Sequence, residues 1–536
     1  MQMVERVMSP RGPMRVPVHV FAPETVLPPA DALAVLERVA ALECVVAPVV
    51  ALPDLHHKPR LETPSSVAVA TQDAIVLGLS SPSPGCGMAL ARTALTVEDV
   101  NEERLDALFA CLAERLNPAR ARRGLSPDEV MDVLAHGAAT SVSRYGFDAS
   151  LLEHIEDRGD AFAAAGEEAD IEAISRAVPA ELCQIGQREF GLVGRGNHFL
   201  EMQAVVEVVD QRVARAWGLH VGQIVIMIHA DSGHLGAFVG RLYAHRRKNT
   251  WLGRLREWRY KVPLHVREVR SWAEARRRWP YFSPRRWVPI PADSEEGQRV
   301  LCALRAATNY AYANRVAVLA VIRDVVREVW GNDLPAPALL WDATHNSIRR
   351  EQVDGRELWV HRHNAARAVP PSENEVGRAL SPAVDDVQRR MMARQATSLP
   401  YGVEDEVGRA LSPAVDDVQR RIMRRQAASL PYGAGQPVLL PGTCRTSSYL
   451  CVAGEGVART LRSVNHGAGR TTEQFAGEDD VGNITRLYTY TDGLEFLMFH
   501  LSDDGLQAVV QTLQADAIAR PVVRLRPLAV LKGSKP

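Results

Sequence analysis

The sequence predicts a mixed α and β fold (α+β), and three observations carry that prediction. Short apolar runs bounded by turn residues read as buried strands, among them VVAPVVAL at 45–52 and GQIVIMIHA at 222–230. Other stretches carry apolar residues at helical spacing, the longest over 296–330. The two kinds do not alternate in a regular βαβ rhythm, so the pattern does not specify a doubly wound parallel sheet.

From the start of the chain, ALAVLERVAALE has helical spacing, and VVAPVVAL follows as a strand that ends at Pro53. SVAVATQDAIVLGL reads as two further strands before a Pro- and Gly-rich loop, SSPSPGCG. Residues 98–117 and 126–137 are helical, the second opened by Ser126-Pro127-Asp128, a cap followed by a first-turn proline. GQIVIMIHA is a buried strand running into a polar loop, residues 296–330 form the long helix, and RPLAVLKG closes the fold as a strand.

The chain has 536 residues, 46% of them hydrophobic and 24% charged, enough to bury a deep core without disulfide staples. Its seven cysteines are scattered, odd in number and free of any CxxC pair, which reads as reduced thiols and a cytoplasmic protein. The first residues lack the apolar stretch of a signal peptide, and no window approaches 18 uncharged apolar residues, so no membrane association is expected. Net charge is −1, yet residues 241–287 hold fifteen Lys or Arg against three Glu, with five Trp interleaved. Cations neutralise phosphates and aromatic faces stack on unpaired bases, so this stretch is an RNA-contact candidate. The alternative is a solvated basic surface with its tryptophans packed as core anchors.

Residues 375–405 and 406–436 are a tandem repeat of period 31, identical at 25 positions. Each copy has the makings of a helix: Ser-Pro opens it, Asp385 and Asp386 occupy the first turn, and Arg389 and Arg390 follow. Two copies are too few for a solenoid, so the pair reads as a duplicated surface insertion.

Five segments place ligand-type or phosphate-binding residues in loops. LPDLHHKP carries Asp54, His56 and His57, and SPSPGCGM sets Cys86 between two glycines as an exposed thiol. In GLVGRGNHFLEMQ, Gly191, Gly194 and Gly196 allow close backbone approach to a ligand, and Asn197 and Glu201 would share a face of a helix start beside His198. His229 and His345 follow apolar runs; with Cys86 and His198 they supply one sulfur and three imidazoles, a sufficient metal set. In SVNHGAGR, His466 is flanked by Gly467 and Gly469 in an open loop, and an imidazole there can attack phosphorus and form a labile phosphoramidate. The same motif also fits a general base or a turn.

Together, LPDLHHKP, GCGM, GRGNHFLE, MIHADSGHLG, AATNYAYANR, DATHN, HRHNAARAVPP, QPVLLPGT, SVNHGAGR and RPLAVLKG, in this order, resemble the RtcB family of RNA-splicing ligases across nearly the whole chain. The resemblance implies a single large catalytic domain around a metal cleft, in two parts (1–372 and 437–536) separated by the helical repeat insertion at 373–436. It implies a GTP-dependent ligase that joins RNA ends bearing a 2′,3′-cyclic phosphate or 3′-phosphate to 5′-hydroxyl ends, in tRNA splicing or RNA repair. The partners would be tRNA halves or cleaved RNA ends. His466 would carry the guanylate, and Cys86, His198, His229 and His345 would be the metal ligands. Asn197, His198, Phe199, Leu200, Glu201, His345, Asn346, Ser448, Gly467, Ala468, Gly469 and Lys532 would line the nucleotide site. The expected metal is Mn2+, with zinc the alternative, because Ser83 stands where the family has an Asp and the first site loses its carboxylate. HADSGHLG also lacks the family's arginine, PGTCR replaces PGSMG, and LMFHLSDDG stands where the family's AYK segment is expected. A metal-dependent hydrolase or phosphodiesterase on RNA ends, or a non-catalytic RNA-end-binding relative, stays open beside the ligase.

Overall fold

A computed structural model describes residues 6–23, 26–58, 61–118, 124–194, 196–244, 250–283, 287–369, 435–475, 477, 482–490 and 493–533. The tandem repeat lies almost wholly outside the described residues.

The architecture is mixed, as expected, and its centre is an antiparallel sheet. Across that sheet the strands run Ala338–Thr344, Gly87–Thr96, Gln223–Ala230, Phe199–Val208, Ala519–Lys532, Ser448–Ala453 and Pro437–Leu440. A hairpin of Ile484–Thr489 and Gly493–Phe499 joins through a parallel pairing to Ala519–Lys532. The Gln223–Ala230 strand shows why an unbroken apolar run was needed: all eight residues are buried. Alternate side chains serve opposite faces. Ile224, Ile226 and Ile228 join the core under the long helix, whereas Val225 and Met227 pack on the other face with Trp217 and Trp341.

The long helix spans Glu295–Trp330, capped by Ser294, whose side chain accepts from Gly297 N. It packs against the shorter helices Glu102–Arg115, Pro127–His136, Ala138–Arg144 and Gly233–Leu242. Ser126 caps Pro127–His136 with a full capping box, as the sequence signalled. The first helix is shorter than its pattern, Ala30–Val39.

A second sheet orders Arg6–Met8, Val18–Val20, Val49–His56, Ser65–Thr71, Arg356–His363 and Asn346–Val353. Pro53 lies inside its strand rather than ending it. The two sheets share one chain passage: Ala338–Thr344 belongs to the first, Asn346–Val353 to the second, and His345 is the corner between them. No helix among the described residues is long and apolar enough to cross a membrane.

Candidate active site

Strand register brings the predicted metal residues into one row. Thr344 pairs with Gly87, and Gly87 with Ala230; Met88 and Phe199 both pair with His229. Neighbouring strands lie about 4.8 Å apart, so residues at matching ends of four adjacent strands become neighbours. Cys86 and His345 sit one residue beyond their strands and are tied by His345 N donating to Cys86 O at 2.9 Å. The outcome is a compact donor cluster. Cys86 Sγ lies 3.4 Å from both His198 Nε2 and His229 Nε2. Cys86, His229 and His345 form one set whose donor atoms lie within 4.8 Å of one another; Cys86, His198 and Asp231 form another.

The surroundings orient these donors. His229 Nδ1 lies 3.1 Å from the carbonyl of Asn197, which leaves Nε2 as the lone pair facing Cys86. Gly194 has φ +101, and a Cβ there would lie 2.8 Å from His198 Nδ1, so the glycine loop is needed for close approach to His198. Arg315, fully buried, holds the segments that bear Cys86, His229 and His345: it donates to Gly85 O at 2.8 Å, to Ala230 O at 3.1 Å and to Asp342 at 2.8 and 2.9 Å.

His466 joins the cluster through a two-stranded pair. Ser463–Asn465 pairs with Ala365–Arg367, Ala365 N donates to His345 O at 2.9 Å, and His466 N donates to Asn364 O at 3.1 Å. The His466 ring therefore stacks on His345, with centroids 3.6 Å apart and planes at 15°, and lies 5.0 Å from the His229 ring. Beyond it, Thr471 donates twice to Asp54 Oδ1 at 2.9 Å, tying the loop to the second sheet.

Burial sets the protonation states. It drives the Cys86 thiol well above its usual range, Asp231 adds to the rise, and Arg315 and Lys58 oppose it. Burial, then mutual proximity, holds His229 and His345 well below the imidazole range. His466 is pushed down to about 3 by burial and then by Lys58, so it is neutral with a free lone pair at physiological pH. Neutral imidazoles around a protonated thiol form a site in which a cation must displace the thiol proton to bind. Sulfur, nitrogen and oxygen donors at these separations fit a divalent transition metal.

A second group adjoins the first along the same row. Lys532 pairs with Phe199 and Val530 with Glu201, while the Phe199 ring lies 5.5 Å from that of His229. Gln203 Nε2 donates to Glu201 and, at 3.1 Å, to Ser448 Oγ; Gly442 N donates to Ser448 Oγ at 3.1 Å. Burial pushes the Glu201 carboxyl up to about 8 against the pull of Gln203 and Lys532. A cleft of about 520 Å³ opens beside the cluster, lined by Cys86, His198, Asp231, Lys58, Arg188 and Arg241.

The sequence model of the tRNA-splicing ligase RtcB family matches residues 35–387 and 418–533. The chain belongs to the RtcB family. It is 30% identical over 470 residues to the tRNA-splicing ligase RtcB of Thermococcus kodakarensis, covering 84% of this chain and 80% of that protein. The protein of that name from Pyrobaculum aerophilum is 26% identical over 516 residues, covering 90% and 87%. The one from Pyrococcus furiosus is 29% identical over 470 residues, and there the match covers 84% of this chain and 40% of the relative.

Within this RtcB chain the structure gathers Cys86, His198, His229, His345 and His466 at one point, and Glu201, Ser448 and Lys532 beside it. Asn346 is occupied locally, its Oδ1 accepting from Asn364 N at 2.8 Å. Leu200 is a core residue, and Asn197 is exposed with its carbonyl turned to His229.

Three expectations need correction. Asn197 and Glu201 do not share a helix face, because Phe199–Val208 is a strand: its apolar residues fill the sheet interior, which outweighs the i, i+4 spacing. Cys86 is 4% exposed, because the sheet and the long helix close over the Gly-rich turn. His466 lies in a half-buried loop packed against His345 rather than an open one. Sequence reasoning did not single out Asp231, two residues past His229, which the fold brings into the donor cluster; its only signal was an acid just after the His229 strand.

Four of the five tryptophans of residues 241–287, at 251, 258, 272 and 279, face solvent, so core anchoring applies only to the half-buried Trp287, whose Nε1 donates to Thr63 Oγ1 at 3.1 Å.

Proposed function

We propose that this chain is a GTP- and metal-dependent RNA ligase that carries a guanylate on His466. The observation that carries the reading is the neutral His466 imidazole stacked on His345 of the Cys86, His229 and His345 donor cluster, beside a cleft whose lining includes Lys58, Arg188 and Arg241. Cys86, His198, His229 and His345 would hold the divalent metal, Mn2+ or zinc. Bound there, it neutralises phosphate oxygens as a Lewis acid.

His466 attacks the α-phosphorus of GTP, a P–N bond forms, and pyrophosphate leaves. The RNA 3′-phosphate then takes the guanylate from His466. The 5′-hydroxyl attacks the activated 3′-phosphate, loses its proton to solvent and expels GMP, leaving a phosphodiester. Lys58, Arg188 and Arg241 line the cleft and hold phosphate charge throughout. Glu201, Ser448 and Lys532 form the nucleotide side. The names of the relatives support an RNA substrate, tRNA halves or other cleaved ends.

Incubation with α-labelled GTP and Mn2+ should label the protein, and His466→Ala should abolish the label; label persisting in that variant overturns the assignment. Cys86→Ala and His229→Ala should each release bound metal and stop labelling, read by metal analysis alongside the gel.

A further inference from the structure

The Ser83 position leaves the predicted metal set without a carboxylate, yet the folded cluster contains one. We propose that Asp231 is a metal ligand, and that Cys86, His198 and Asp231 form an ion seat of their own beside Cys86, His229 and His345.

The geometry carries this. Asp231 Oδ2 lies 3.7 Å from His198 Nε2, too long for a hydrogen bond, while the same Nε2 lies 3.4 Å from Cys86 Sγ. All three donor atoms lie within 4.8 Å of one another, and all three residues are buried. Around a tetrahedral ion with bonds of about 2.0–2.3 Å, neighbouring ligand atoms stand roughly 3.3–3.7 Å apart, so small side-chain adjustments close the triangle on a cation.

Asp231 is also held in the pose of a one-oxygen ligand. Its Oδ1 accepts from Gly233 N at 2.7 Å, which leaves Oδ2 to face the cluster. Asn314 Nδ2 donates to the Asp231 carbonyl at 3.2 Å, and Arg315 holds the preceding Ala230 carbonyl at 3.1 Å. Gly233, at φ +61, makes the turn that aims the acid, and a Cβ there would strike Glu189. Ser83 lines the same cleft with a neutral hydroxyl, a weaker ligand. The carboxylate has thus moved from the Gly-rich loop to the segment after the His229 strand. The carboxylate oxygen makes the set more hospitable to Mn2+ than sulfur and imidazole alone, while the thiolate still favours zinc.

The inference rests on reading the cleft as a metal-dependent nucleotidyl-transfer site, so the experiment separates the two. Purified full-length protein is dialysed against Mn2+ or Co2+ alone, and the bound metal and its affinity are measured for wild type, Asp231→Asn and Asp231→Glu, with thermal unfolding monitored for each. Asp231→Asn should lose one ion per chain, or weaken it at least tenfold, and change the Co2+ visible spectrum. Asp231→Glu, which keeps the carboxylate, should retain the ion and serves if the Asn variant unfolds. Unchanged stoichiometry and affinity in a folded Asp231→Asn overturns the proposal, as does a Ser83→Asp variant that gains an ion the wild type lacks. If metal binding depends on Asp231 but GTP never labels His466, the ligase reading fails and the seat stands. Labelling with Asp231-independent metal binding gives the reverse.

Discussion

Glu201 shows what a single buried carboxyl does to the whole protein. Its folded pKa is raised from the usual 4.5 to about 8, so the folded chain holds a proton that the unfolded chain releases across that window. The stability tied to that proton is fully present below about pH 4.5 and is lost as pH rises through about 8. Thermal midpoints should therefore fall between pH 5 and 8.5, and Glu201→Gln, which still accepts from Gln203, should flatten that slope. The difference between the two proteins should be on the order of a few kcal/mol. Equal slopes would mean that the carboxylate is stabilised in place by Lys532. At this scale the sequence was informative wherever a motif names the residue. Cys86, His198, His229, His345 and His466 could be picked out, because glycines or strand ends mark them. Asp231 could not, since its meaning depends on register that sets position 231 beside 86 and 198, and no local spacing encodes that.

At the scale of elements, the long helix acts as the clamp of the site. Arg315 is fully buried, and its guanidinium holds the carbonyls before Cys86 and after His229 together with Asp342, three residues before His345. Arg315→Met leaves Asp342 as an uncompensated buried charge and should cost about 3–5 kcal/mol in denaturant unfolding. Metal affinity should fall with it, although Arg315 touches no metal donor. Adding Asp342→Leu should restore much of the stability but not the affinity, because the two carbonyls stay unclamped. Elements with one dominant period were legible: the long helix, the Pro127–His136 helix with its cap, and the Gln223–Ala230 strand. The GNHFLE segment misled, because four-residue spacing of two polar residues is too sparse a pattern to compete with the sheet. The repeat adds a test of its own. The family match omits residues 388–417, close to one 31-residue period, so one copy is in excess of the family pattern. Deleting 406–436 should leave GTP labelling of His466 intact, since shortening a connection alters loop entropy by only about 0.6 kcal/mol per halving and the sequence reads as a duplicated insertion. Loss of labelling would show that the second copy supports the cleft.

For the molecule as a whole, net charge is −1, yet one inverted helix gathers cations and aromatics in solvent. Trp251–Arg267 buries only Glu257, Lys261 and His265, a polar stripe at four-residue spacing, and leaves Trp251, Leu252, Leu255 and Trp258 in solvent. The stripe is satisfied inward: Lys261 Nζ donates to Ala244 O at 2.5 Å, and His265 Nε2 lies 2.8 Å from Leu242 O. Burial lowers Lys261 to about 7, so this lysine is structural and adds little positive charge to the surface. The exposed face instead carries Arg254, Arg256 and Arg259 among the aromatics, and Arg241, which lines the active cleft, pairs with Glu257 at 3.8 Å. The basic segment is therefore anchored to the cleft wall, and the RNA ligase proposed above would use its cations for phosphates and its indoles for unpaired bases. The next helix divides its arginines by role. Arg276 and Arg277 are exposed, whereas Arg278 is buried against Glu296 at 2.9 Å and His265 at 3.1 Å. Neutralising Arg276 and Arg277 together should weaken RNA binding and reduce the slope of log affinity against log salt by about 1–2, leaving the melting temperature and GTP labelling unchanged. Arg278→Ala should do the opposite, lowering the melting temperature, because Glu296 loses its buried partner and keeps only the exposed Arg277 at 3.5 Å. If Arg276 and Arg277 can be neutralised with no change in the salt slope, RNA does not pass over this face, and the tryptophans serve another partner.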